Sequence, residues 1–109
     1  MSDHIPNHWS MVETSKGHHK IFGSWSGGYL DGDSWKLNSG IERVIYDPVT
    51  YTYYVYGFSG SIYRVTPSNY GASGYNTMVL NNLIENSNGK MKLLTEQEAL
   101  VILTKYTEE

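Results

Sequence analysis

The spacing of apolar residues changes near residue 73, and this change constrains the fold more than any other feature of the sequence. Residues 41–46, 51–58 and 61–66 alternate or are rich in aromatic and β-branched side chains, which predicts three strands of a meander. Residues 74–87 and 96–106 place apolar groups at helical spacing instead. The sequence therefore predicts an α+β fold, in which an antiparallel meander sheet of about four to five strands packs against two C-terminal helices.

Shorter signals mark the elements around the meander. Residues 18–26 predict an earlier strand, and Trp35 and Leu37 alternate with polar neighbours in a short one. Thr95 and Glu98 have the spacing of a capping box, in which each side chain satisfies the other's exposed amide. This pattern predicts that the second helix begins directly after Thr95.

The N-terminal residues are expected to form an irregular arm, in which Ile5, Trp9, Met11 and Val12 are apolar enough to attach it to the rest of the protein. Polar residues dominate positions 1–16, and Pro6 interrupts any local helix. Terminal residues of a domain are commonly poorly ordered unless something holds them. We therefore predict an irregular N-terminal arm over residues 1–16 and a single α+β domain over residues 17–109, a length that suits one domain.

Composition excludes some classes of protein and disfavours others. The 109 residues include no cysteine, so neither a disulfide framework nor a thiolate metal site can form. Eight basic and 11 acidic residues give a formal net charge of −3, and the basic residues do not cluster, so nucleic acid is disfavoured as a partner. There is no secretory pattern and no apolar run of the ~20 residues that a membrane span needs. We expect a cytoplasmic protein without a membrane partner.

Residues with catalytic or metal-binding chemistry occur, but not in a recognisable pattern. His4 and His8 are four residues apart, yet Pro6 between them argues against the helix that would bring them together. Asp31 and Asp33 resemble the start of a calcium loop, but the residues that follow depart from that loop's pattern. No nucleophile elbow, zinc-protease or phosphate-loop motif is present. We expect no metal and no cofactor, and an enzyme is the less favoured interpretation.

Tyrosine is the most over-represented residue, with ten in the chain and four of them between Tyr51 and Tyr56. A sheet that packs one face on helices cannot bury aromatic groups on both faces. We therefore expect Tyr54 and Tyr56 to face solvent or a partner. Arg43 and Arg64 lie in the middle of strands, where each could anchor a carboxylate or phosphate or stack on a neighbouring tyrosine, and stacking is the favoured interpretation. The alternative is that the tyrosines are cross-strand pairs that stabilise a small sheet.

Aromatic residues also surround a glycine-rich segment at residues 23–35. Exposed tryptophan and tyrosine beside flexible glycine are typical of binding surfaces, because they give large contacts with few rotatable bonds. The sequence thus predicts a binding surface that comprises Trp25, Tyr29, Asp31, Asp33, Trp35, Arg43, Tyr54, Tyr56 and Arg64.

Two stretches of sequence carry a resemblance. The run GSWSGGYLDGDSWKLNSGIERV, followed by YYVYGFSGSIYRV, resembles small accessory proteins of bacteriophages and prophages over about residues 22–70. The resemblance implies a short protein that binds and blocks a host protein in the host cytoplasm. It transfers no catalytic or ligand-binding residue to this chain.

Two hypotheses of function follow. The first is a non-enzymatic protein-interaction module, such as a phage-encoded inhibitor or adaptor of a host protein, that binds through exposed tyrosine and tryptophan. The alternative is a site for a sugar or nucleotide in the glycine-rich 23–35 segment, with hydrolysis through Asp31 or Asp33 left open. A homodimer formed through an aromatic edge strand is a further option.

Overall fold

The computed structural model describes residues 2–14, 17–25, 34–72 and 75–107. Within these residues the chain forms eight strands and two α-helices, with a short 3₁₀ turn at Pro67–Asn69. In chain order the elements are β1 (Ser2–His4), β2 (His8–Thr14), β3 (His19–Trp25), β4 (Ser34–Leu37), β5 (Arg43–Asp47), β6 (Thr52–Tyr56), β7 (Ser61–Val65), α1 (Tyr75–Glu85), β8 (Met91–Leu93) and α2 (Glu96–Thr107). The α+β class predicted from the sequence is confirmed.

The strands divide equally between two four-stranded sheets. In the first sheet the strand order is β1-β7-β6-β5, and in the second sheet it is β4-β3-β2-β8. The antiparallel meander β5-β6-β7 is present as predicted, and β1 extends it by pairing parallel to β7. The sequence predicted one sheet with helices on one face. Instead β2, β3 and β4 pair with one another and with β8 in a second sheet, and only β1 of the N-terminal strands joins the meander.

The second sheet is covered on both faces, which explains why its central strands are buried without alternation. Four consecutive residues are buried in each of β2 and β3. Trp9 and Ile21 contribute to the central core, whereas Val12 and Phe22 contact α1 on the opposite face. A strand buried on both sides reads as a continuous apolar run, and such a run does not reveal which layers enclose it.

The central core lies between the two sheets, and α2 closes it at one side. α2 packs against β5 and β2, so that Ala99 and Leu103 are fully buried. The core residues of the sheets and of the segments beside them are Trp9, Met11, Ile21, Ile41, Val44, Val55, Tyr63, Val65 and Leu94. The layers therefore run from the first sheet through the core to the second sheet and then to α1.

The predicted irregular arm at residues 1–16 is wrong for the residues that the structure describes. β1 and β2 occupy most of this segment, and Trp9 and Met11 are both fully buried. Pro6 is buried between the two strands, where the lack of a backbone N–H removes nothing from either ladder. The N-terminal residues belong to the same domain as the rest of the chain.

A buried polar side chain holds the segment that connects the second sheet to the first. Asn38 is buried at the crossing from the second sheet to the first, where its Oδ1 accepts the Ile21 amide at 2.9 Å and its Nδ2 donates to the Gly40 carbonyl at 3.1 Å. These bonds replace a ladder where β4 ends, so the chain can leave one sheet without orphaned backbone groups.

The ends of the two helices agree in part with those predicted from the sequence. The capping box is confirmed: the Thr95 amide donates to Glu98 Oε1 at 2.8 Å, and the Glu98 amide donates to Thr95 Oγ1 at 3.1 Å. α1 ends at Glu85, two residues before the predicted end, and a turn carries the chain to β8. The first position of the predicted range, residue 74, lies outside the described residues. No helix in the described parts of the chain is long and apolar enough to cross a bilayer.

Candidate functional site

One face of the first sheet points away from the core, and we call it the outer face. Side chains alternate between the two faces of a strand. Val44, Val55 and Val65 are buried in the core, so the residues next to each of them in the same strand project outward. The outer face comprises Asp3 on β1, Ile62 and Arg64 on β7, Tyr54 and Tyr56 on β6, and Arg43 and Ile45 on β5. α1 covers the second sheet and α2 lies beside the core, so neither described helix crosses this face.

Two arginine–tyrosine stacks occupy the middle of the outer face. Arg43 lies opposite Tyr56, and its guanidinium carbon is 4.2 Å from the centre of that ring. Arg64 lies opposite Tyr54, and its guanidinium carbon is 5.5 Å from the centre of the Tyr54 ring. Each contact is worth about 0.5–1 kcal/mol at an exposed position. The stacking predicted from the sequence is confirmed, and the four residues form one continuous surface.

Asp3 holds the second of these arginines from the other side. The Arg64 Nε donates to Asp3 Oδ1 at 3.2 Å, and Nη2 donates to Oδ2 at 2.5 Å. A two-bond pair fixes the plane of the guanidinium, although an exposed pair of this kind adds no more than about 1 kcal/mol to stability. Sequence reasoning missed Asp3, because the contact spans 61 residues and its segment was predicted to be irregular.

Two isoleucines extend the apolar part of the outer face. Ile45 is 44% exposed, and Ile62 lies opposite Tyr56 on the neighbouring strand. The alternation of residues 41–46 could have identified Ile45, since it shares a face with Arg43. Continued alternation would also place Ile41 on that face, but Ile41 precedes β5 and is buried in the core.

The predicted tryptophans lie elsewhere. Trp25 packs against the central core, and its indole N–H donates to the Ile5 carbonyl at 3.0 Å. Trp35 stacks on Phe22 at 5.5 Å, on the side of the second sheet that faces α1. Neither joins the outer face. The other predicted residues of the glycine-rich segment, Tyr29, Asp31 and Asp33, lie outside the described residues.

The alternative interpretation of the tyrosines holds on the inner face of the same sheet. Tyr46 and Tyr53 lie opposite each other, with ring centres 4.5 Å apart. Tyr63 is buried beside His4, with the two ring centres 4.9 Å apart, and burial raises the pKa of the Tyr63 hydroxyl. Alternation along the strands therefore separates these tyrosines. Tyr46, Tyr53 and Tyr63 lie on the inner face and stabilise the sheet, whereas Tyr54 and Tyr56 lie on its outer face.

A separate polar cleft of about 400 Å³ lies where the edges of the two sheets meet. Lys20 and Lys36 contribute to its walls, together with His4 and the serine hydroxyls of residues 39, 59 and 61. None of the described residues that line the cleft carries a carboxylate, and two lysines share it with hydrogen-bonding side chains. Among residues 2–14, 17–25, 34–72 and 75–107, no three His, Asp or Glu side chains gather as metal ligands would.

Comparison with known proteins assigns no family to this chain. No protein-family model matches the chain, and no significant match was found among curated proteins or among solved structures. The argument for function therefore depends on the surfaces themselves.

Proposed function

We propose that the protein is a non-enzymatic interaction module that binds another protein through the outer face of the first sheet. The observation that carries this proposal is the pair of arginine–tyrosine stacks on a sheet face that neither described helix covers. Tyrosine and arginine are the residue types, with tryptophan, that contribute most to protein interfaces when they are buried by a partner.

The stacks also reduce the entropy that binding would cost. An arginine side chain in solution samples many rotamers, and fixing it on binding costs roughly 0.5–1.5 kcal/mol. Here Arg43 already lies on Tyr56, and Asp3 already orients Arg64. A rigid sheet thus presents two guanidinium groups and two phenol rings in fixed positions. This is the preorganisation that favours tight association.

The same groups define the chemistry of the partner. The contact recorded for Arg43 within the described residues is with a ring face, which leaves its N–H groups able to meet carboxylates. Ile45 and Ile62 offer apolar contacts on either side of the tyrosines. The outer face therefore suits a folded protein surface that combines acidic and apolar groups. The resemblance to phage accessory proteins supports a host protein as that partner and inhibition or adaptation as the outcome.

The experiment is affinity purification from host extract, followed by measurement of binding to the purified partner. Tyr54→Ala and Arg43→Ala are expected to weaken binding by about tenfold or more each, because each removes one member of a stack. The matched control is Tyr75→Ala on α1, since Tyr75 is 58% exposed on the opposite side of the layers. Equal binding by all three variants would show that the partner uses another surface.

A second candidate function rests on the polar cleft. The two lysines and three serines among its described lining residues favour a small anion, such as the phosphate of a nucleotide. The test is a thermal-shift titration with inorganic phosphate and with nucleotides, in which a ligand at ~100 times its Kd adds about 2.7 kcal/mol of stability. Lys36→Ala should abolish the shift, and Lys105→Ala on α2 should not. No shift with any of these anions would exclude this function.

A further inference from the structure

The strand β5 forms one edge of the first sheet and has nothing paired on its outer side among the described strands. A groove of about 590 Å³ runs along it, lined by the consecutive residues 42–46 and by Tyr106 and Thr107 at the end of α2. An edge strand carries unpaired backbone N–H and C=O groups, which can pair with a further strand.

The sequence of β5 is complementary to itself in the antiparallel direction. The strand reads Arg43-Val44-Ile45-Tyr46-Asp47. If two copies pair with Ile45 opposite Ile45, Arg43 of each copy lies opposite Asp47 of the other. On the other face, Val44 then lies opposite Tyr46. Opposite charges directly across an antiparallel pair are stabilising, as are aromatic and β-branched pairs.

The other described edge strands lack this property. β4 and β8 each carry a lysine in the middle of the strand, at Lys36 and Lys92, and lysine on an edge is a common protection against strand pairing. Pairing of β8 with itself about its centre would place Lys92 opposite Lys92. β1 has only three residues. β5 is the longest of these edges, and its charges attract in the self-paired register.

The charged groups of β5 are available for this pairing. Arg43 is exposed and lies on the ring of Tyr56. Asp47 accepts the Val49 amide at 3.0 Å and the Thr50 hydroxyl at 3.1 Å, which orients its carboxylate and leaves further lone pairs free to accept a guanidinium.

We propose that two copies of this chain associate through β5, antiparallel, about a two-fold axis that passes between the two Ile45 residues. The two first sheets then join into one sheet of eight strands, and the two outer faces become continuous. This association requires no other protein, so it stands independently of the function proposed above. A single five-residue strand pair is a small interface, and we expect a Kd of roughly micromolar or weaker.

The test is sedimentation equilibrium of the purified protein at concentrations up to about 1 mM, which covers a Kd in that range. In Arg43→Asp, both symmetric pairs become Asp–Asp, and in Asp47→Arg both become Arg–Arg. Each variant is expected to dimerise roughly tenfold to a hundredfold more weakly than the wild type, because like charges across a strand pair are destabilising. An equimolar mixture of the two variants restores both opposite-charge pairs, and it should form a heterodimer.

Asp47→Arg also removes the hydrogen bonds that Asp47 accepts in the turn after β5, so a monomeric Asp47→Arg alone would not separate lost pairing from a folding defect. A second variant makes that distinction. Ile45→Lys leaves those bonds intact and places two lysines together on the axis, so it should be monomeric. The matched control Met78→Lys, at an exposed apolar position on α1, should dimerise as the wild type does. The proposal is overturned if the wild type is monomeric throughout, if Ile45→Lys still dimerises, or if the mixture of folded charge variants stays monomeric.

Discussion

Replacing Tyr70 by phenylalanine removes one oxygen atom that bridges two parts of the second sheet. The Met11 amide donates to the Tyr70 hydroxyl at 3.1 Å, and that hydroxyl donates to the Leu94 carbonyl at 2.5 Å. The hydroxyl thus occupies the place of a direct bond between these backbone groups just beyond β8. The adjacent bond, from the Leu94 amide to the Met11 carbonyl at 3.0 Å, needs no side chain.

The size of the effect follows from what remains after the substitution. The phenylalanine ring can keep the edge contact with Trp9, whose ring centre is 4.7 Å from that of Tyr70, so packing changes little. The Met11 N–H and the Leu94 C=O both lose a partner, and each unsatisfied buried group costs about 1–3 kcal/mol. Partial closure of the gap recovers some of this. We expect a loss of about 2–3 kcal/mol in the free energy of unfolding, or roughly 10 °C in Tm.

Urea unfolding measures this loss directly, with tryptophan fluorescence and circular dichroism as the two probes. Tyr75→Phe is the control, since Tyr75 is exposed and no hydrogen bond of its hydroxyl is recorded among the described residues. If Tyr70→Phe lies within about 0.5 kcal/mol of the wild type, the bridging role assigned to the hydroxyl is wrong, because an unsatisfied buried pair costs more than that.

Three further predictions concern a backbone position, a helix cap and pH. Gly40→Ala should lower the unfolding free energy by about 1–3 kcal/mol, because Gly40 has a φ of +129° and a Cβ there would lie 3.0 Å from the Phe58 ring; a thermal melt unchanged from the wild type would refute it. Thr95→Ala should cost about 1 kcal/mol by removing the capping box with Glu98, whereas Thr95→Ser, which keeps the hydroxyl, should cost much less in the same melt. Burial raises the pKa of Tyr70 above its ordinary 10.0, so the unfolded chain ionises first and stability should fall as pH rises from 10 through the folded pKa. Tyr70→Phe should flatten that decline in urea titrations, and an equally steep decline would contradict the assignment.

Local elements were predictable wherever their signal lay within a few residues. The strands β5, β6 and β7 and the helix α2 each fall close to the predicted ranges, because strand alternation and capping chemistry act over two to four positions. The stacking of Arg43 and Arg64 on tyrosine was predictable for the same reason. Both arginines lie on strands adjacent to the aromatic strand in the sequence, and neighbouring strands of a meander pair with each other.

The arrangement of the N-terminal residues could not be predicted in this way. Trp9 and Met11 look like scattered apolar residues in a polar segment, and only the pairing of their backbone with β3 shows that they belong to a strand. The contact between Asp3 and Arg64 joins residues 61 positions apart, and no local pattern encodes it. The candidate site therefore gained a carboxylate from the structure and lost two tryptophans to packing in and around the second sheet.

The sequence by itself determined the class of the fold, the meander, the start of the second helix and the presence of tyrosine on both faces of one strand. These properties depend on the period of side chains along a backbone, which short-range sterics impose. Only the tertiary structure decided that the strands form two sheets, that β1 completes the first sheet, and which tyrosines remain uncovered. The physical reason is that burial depends on which layers meet across the core, and that choice is made by the whole chain at once.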